Sequence, residues 1–156
     1  MADLQAGGAG LLRSLKGSGA VAVVALVIAV LPAIRLLAFA DWDPTLFVGF
    51  GVEEPLTLDY GEEKLGREVS VRNGEGHDGK FFFVQSNDPL ILDPDENASI
   101  LDRPVYRSQR MLYPVVAGGA GLFSADVIVW SLLIVNIVFI ALGSARLRDV
   151  DACCPI

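Results

Sequence analysis

The sequence predicts an α-helical membrane protein: two transmembrane helices joined by a long extracytoplasmic segment that carries a short amphipathic helix and a candidate small hairpin. Three observations lead there. The 156 residues are 53% hydrophobic, with a mean hydropathy of +0.50, too apolar for a soluble domain of this size. The apolar residues gather in two runs, "GAVAVVALVIAVLPAIRLLAFA" (19–40) and "VIVWSLLIVNIVFIALGSA" (127–145), and at about 1.5 Å per residue each run reaches a bilayer core of about 30 Å. Most of the acids lie between the runs.

The chain divides accordingly into a cytoplasmic N-terminal tail (1–18), a transmembrane helix (19–40), an extracytoplasmic segment (41–113), an interfacial or re-entrant segment (114–126), a second transmembrane helix (127–145) and a cytoplasmic tail (146–156). Arg13 and Lys16 before a shorter apolar core, with "AFA" before Asp41, also fit a cleaved signal peptide. The apolar run continues past Arg35, however, and favours an uncleaved helix. Arg13 and Lys16 before the first helix, and Arg146 and Arg148 after the second, put both termini on the cytoplasmic side of the plasma (inner) membrane. Ala25, Ala29 and Ala33 form a small-residue stripe, and Asn136 lies mid-way along the second helix; both suit contact with other transmembrane helices. A net charge of −7 argues against nucleic acid as a partner.

The outer segment opens with "EPLTLDYGEEKLGREVSVRNGEG", whose short alternating runs broken by Gly and Asn-Gly suggest a hairpin or irregular loop. After "GHDG", residues 80–86 fit either a strand or a short helix, and "LDPDENASILD" is rich in turn formers. A helix is expected over "RPVYRSQRMLY", capped by Asp102 and ended by Pro114. It would align Arg103, Arg107 and Arg110 on one face. Such a stripe suits a phosphate, because guanidinium forks grip phosphate oxygens, and it equally suits lipid headgroups or solvent.

Metal and cofactor chemistry finds no support. His77 has no second His and no Cys on the outer side, and Asp78, Asp88 and Asp93 lack the spacing of a calcium loop. Cys153 and Cys154 read as cytoplasmic thiols with no disulfide framework.

"HDGKFFFVQSNDPLILD", then "LDRPVYRSQRMLYPVVAGGAGLF" and a tryptophan-containing apolar helix, resembles the N-terminal region of a family of bacterial polytopic membrane proteins of cell-surface glycopolymer formation. That family is similar to the GT-C-type glycosyltransferases. Its expected pattern is Y-D-G-Q-F-Y-Y, a D-P, then P-x-Y-R-x-Q-R-x-L-Y-P. The likeness covers roughly residues 10–147, with His77, Lys80 and three phenylalanines departing from the first element.

The resemblance implies a polyprenyl-phosphate-linked sugar donor and makes Asp78 the candidate catalytic acid, a carboxylate that takes the acceptor hydroxyl's proton as the sugar leaves its phosphate. Arg103, Arg107 and Arg110 would bind the donor phosphate, Phe81–Phe83 would face lipid or the isoprenoid, and Asp41 and Asp43 form a second acidic candidate. A solvated turn is the plain alternative for Asp78, since Asp-Gly is a common turn pair. GT-C proteins surround their substrate with many helices, so a chain with two reads as a truncated N-terminal portion, inactive alone. The alternative is a small non-catalytic membrane scaffold of an envelope complex.

Overall fold

The computed structural model describes the backbone of residues 2–153 and the side chains of residues 19–146. The side chains of Arg13, Lys16, Arg148 and Cys153, and all of Cys154, lie outside the described residues, and with them the flanking charges and thiols on which the expected orientation partly rests. The chain forms two compact units, residues 1–35 with 136–156, and Leu36–Val135. The first consists of the greater part of two long helices, α1 (Ala2–Phe39) and α8 (Ala125–Cys153). Within them Gly19–Phe39 and Ala125–Arg146 are long and apolar enough to cross a membrane by length and composition.

The second unit is a small, mostly helical domain built from α2 (Thr45–Val48), β1 (Phe50–Gly51), α3 (Pro55–Leu65), β2 (Val71–Arg72), α4 (Gly79–Asn87), α5 (Pro94–Ile100), α6 (Pro104–Ser108), α7 (Leu112–Ala120) and the start of α8. Where a hairpin is expected, α3 forms instead. Pro55 occupies its first turn, where a missing N–H costs nothing, and Gly66 ends it in the left-handed region (φ 63°), donating to Glu62 O at 2.8 Å. The two short strands flanking α3 pair in parallel, Phe50 with Val71 and Gly51 with Arg72, so the unit is strand, helix, strand. Turn-rich "LDPDENASILD" likewise contains a helix, α5. Asp93 caps it by accepting from Glu96 N at 3.0 Å, with Pro94 in the first turn.

Helix α4 is the central element and packs against α2, α3 and α7. Phe81 and Phe83 are buried in the core with Val48, Phe50, Tyr60, Val84 and Ile128, so they face neither lipid nor an isoprenoid, contrary to the expectation for the aromatic run. The reason is the helix itself: with 3.6 residues per turn, Lys80, Phe83 and Val84 share a face that the domain covers on every side. Phe83 meets Phe50 edge-on at 5.9 Å and Tyr60 at 6.4 Å, while half-buried Phe82 stacks edge-on against Tyr113 at 5.1 Å. Two glycines permit these approaches. A Cβ at Gly61 would lie 2.5 Å from Phe50 Cζ, and one at Gly118 would strike the Ser86 carbonyl, where α7 crosses α4.

The continuous helix expected over 103–113 is broken. Helix α6 has five residues, with Arg103 rather than Asp102 at its N-cap, and α7 starts afresh at Leu112 to run through the segment expected to be re-entrant. Among the described residues five non-glycines adopt positive φ, namely Asp41, Trp42, Ile91, Leu122 and Phe123, each at a cost of about 1–3 kcal/mol. All lie in three turns, after α1, between α4 and α5, and before α8.

Candidate functional site

Asp78 and the arginine segment, far apart in sequence, meet in the domain. Asp78 stands at the start of α4 but makes no side-chain cap to the helix. Its carboxylate turns instead to Arg107, with Oδ2 at 3.0 Å from a terminal guanidinium nitrogen. Arg107 also forks onto Asp102, Nε to Oδ1 at 3.0 Å and Nη2 to Oδ2 at 3.3 Å, and its guanidinium lies over the Phe81 ring at 4.2 Å. Each of the three guanidinium nitrogens therefore meets a carboxylate oxygen, on a side chain that is only 8% exposed, whereas the Asp78 side chain is 59% exposed. The hydrogen bonds from Arg107 hold the Asp102 carboxyl below its ordinary range, and Asp102 foremost pushes the Arg107 guanidinium up.

The remaining expected arginines do not share a face with Arg107. Because α6 ends at Ser108, Arg103 and Arg110 stand outside it and both are exposed. Arg110 stacks on the Tyr106 ring at 4.7 Å and hydrogen-bonds its hydroxyl. Of the second acidic pair, Asp41 is exposed in a positive-φ turn, and Asp43 is a structural acceptor. Asp43 takes hydrogen bonds from Thr45 N at 3.1 Å, Thr45 Oγ1 at 2.5 Å and Arg67 Nη1 at 3.3 Å. Burial pushes its pKa up, and these bonds outweigh the burial, leaving it below the ordinary carboxylate value. Arg67 in turn reaches Asp126 in the first turn of α8 at 3.8 Å, so it links the turn after α1 to the start of α8.

Beside the Asp78–Arg107 pair lies a buried group that the sequence did not single out. The Lys80 side chain is 2% exposed, pairs with Glu54 Oε2 at 2.7 Å, hydrogen-bonds the Glu75 carbonyl and lies over the same Phe81 ring at 4.9 Å. Its spacing from Phe83 and Val84 was the available signal, since it puts Lys80 on the apolar face of a helix. Glu54 and Asp102, the partners of the two cations, both border an open cavity of about 310 Å³ whose apolar wall includes Leu56 and Ile100. His77 stands apart from this cluster, its Nε2 at 3.1 Å from Arg72. Among the described residues no three His, Cys, Asp or Glu side chains gather to hold a metal ion.

The arrangement can orient a partly exposed carboxylate against a fixed cation. A free phosphate-binding fork at Arg107 would require displacing two carboxylates. No family model, curated protein or solved structure matches the chain. The site therefore rests on its own geometry.

Proposed function

We propose that the chain is an integral membrane component of cell-surface glycopolymer formation, resembling the N-terminal part of a GT-C-type glycosyltransferase that uses a polyprenyl-phosphate sugar, and that Leu36–Val135 is its outer domain. The observation that carries this reading is the meeting of Asp78 with Arg107 at 3.0 Å, which joins the two motifs on which the resemblance rests. In this reading Asp78, positioned by its ion pair with Arg107, accepts the proton of the acceptor hydroxyl. Exposed Arg103 and Arg110 take the donor phosphate, since Arg107 is engaged by Asp102 and Asp78. The site is completed by further helices of the same assembly.

A second reading is favoured by the saturation of Arg107: a membrane-anchored scaffold in which Asp78, Arg107 and Asp102 only lock α4 to α6. One experiment separates the two. The full chain in lipid nanodiscs is titrated with a polyprenyl phosphate, and binding is followed by native mass spectrometry. The glycosyl-transfer reading expects binding that Asp78→Asn leaves largely intact and that Arg103→Gln with Arg110→Gln weakens by about 1.5–3 kcal/mol for each charged hydrogen bond lost. Absence of binding by the unaltered chain, or equal binding by the double variant, favours the scaffold.

A further inference from the structure

We propose that the turn Leu90–Leu92, far in sequence from either apolar helix, is a third membrane contact, forming with Phe39, Trp42, Leu122 and Phe123 a collar that lies in the interfacial layer of the bilayer. This rests on the membrane reading of the two long helices and is independent of glycosyl transfer. Leu90 and Leu92 are 76% and 81% exposed, among the most exposed large apolar side chains of the described residues, alongside Phe39 at 88% and Leu122 at 82%. Leu92 is also a neighbour of the second helix's entry point, because it lines a cavity of about 420 Å³ together with Phe123, two residues before α8. Phe39 and Trp42 stand at the equivalent exit of α1, and Arg67 bridges Asp43 and Asp126 between exit and entry. Chain continuity brings the exit and entry to the membrane surface, and the shared cavity brings the Leu90–Leu92 turn with them.

The construction of the turn fits an apolar medium. Asp88 accepts from Leu92 N at 2.9 Å, Asp93 N at 3.1 Å and Asn97 Nδ2 at 2.8 Å, Ile91 N donates to Asp88 O at 3.2 Å, and Pro89 has no N–H to satisfy. The backbone donors of Ile91, Leu92 and Asp93 are thus met inside the turn, which suits a segment at the edge of an apolar medium. The positive φ values of Ile91, Leu122, Phe123 and Trp42 occur at these exposed apolar turns, where strained backbone is retained together with displayed side chains. Trp and Phe at the ends of apolar helices favour the headgroup level, and Leu90 and Leu92 extend that level sideways.

The test uses the full chain in phosphatidylcholine nanodiscs, with tryptophan as the depth probe. The sequence has two tryptophans, Trp42 and Trp130, and Trp130 lies within the second apolar helix as a control. In a Trp42→Phe, Trp130→Phe background, Leu92→Trp and, separately, Leu90→Trp supply the single probe, each at an exposed position that accommodates an indole. Lipid brominated high on the acyl chain should quench both by at least about half, and aqueous iodide should quench them several-fold less than in urea. Trp130 quenched in a separate Trp42→Phe variant while both turn probes respond only to iodide would overturn the collar and leave the membrane reading standing; this includes the case in which a protein partner covers the turn. Trp130 unaffected by brominated lipid would overturn both.

Discussion

Replacing Arg107 with Met should loosen the joint between α4 and α6 far more than neutralising either of its partners. The guanidinium makes three charge-assisted hydrogen bonds, each worth about 1.5–3 kcal/mol when shielded from water. Its partners Asp102 and Asp78 are 41% and 59% exposed, so solvent screening brings each bond to about 0.5–1 kcal/mol and the three to about 1.5–3. The contact with the buried Phe81 ring adds about 1–2 kcal/mol, part of which the methionine recovers by packing. The net expectation is about 3 kcal/mol. Asp78→Asn keeps an acceptor for Arg107 and loses one screened charge, for about 0.5 kcal/mol. Native-state hydrogen exchange on the full chain in nanodiscs reads both, as the opening free energy of the α4 amides between Gly79 and Asn87. A loss under about 1 kcal/mol for Arg107→Met, or equal losses for the two variants, would refute the view of Arg107 as the joint's anchor.

Other expectations follow from the same geometry. Gly61→Ala drives a Cβ to 2.5 Å from the Phe50 ring and should destabilise the domain by about 1–3 kcal/mol, visible as lost near-ultraviolet dichroism on mild heating. Asp43 and Asp102 have folded pKa values below the unfolded value of 3.8, so the unfolded chain binds protons first as pH falls. The stability they contribute is complete above about pH 5 and is lost as pH falls through the folded values; acid titration of intrinsic fluorescence should show it, shifted upward by Arg67→Gln and by Arg107→Met. For topology, an Asn73→Cys probe on the exposed strand-to-helix connection should react with an impermeant maleimide in intact cells while Cys153 and Cys154 are spared. Ser86 is unsuitable for this purpose because it is fully buried. Labelling of the native thiols would reverse the orientation.

The long helices were legible because each is a single uninterrupted apolar run, long enough by length and composition to cross a membrane. Helix α3 was misread because Gly61 and the following Asn-Gly imitate turn chemistry. Pro55 and Gly66, a residue suited to each end of a helix, were the stronger signals. In α5 the Asp93, Pro94 and Glu96 spacing is a cap that a count of turn formers obscures. The residues 80–86 were open between strand and helix, and burial decided for the helix by giving Lys80 a carboxylate from Glu54. The pairing of Asp78 with Arg107 has no local signature at all. Opposite charge permits it, but α6 must stop at Ser108 for Arg107 to turn inward while Arg103 and Arg110 remain outside.

Arg67 holding Asp43 and Asp126 together also means that the turn after α1 and the first turn of α8 lie close together. A stretch whose ends are neighbours can be lifted out, or exchanged for another, without asking the flanking helices to separate. The domain is in that sense a cassette inserted, in sequence, between two long helices. A short polar turn joining residue 42 to residue 127 should close the same gap. The two apolar helices and the folded insert can then change independently of one another.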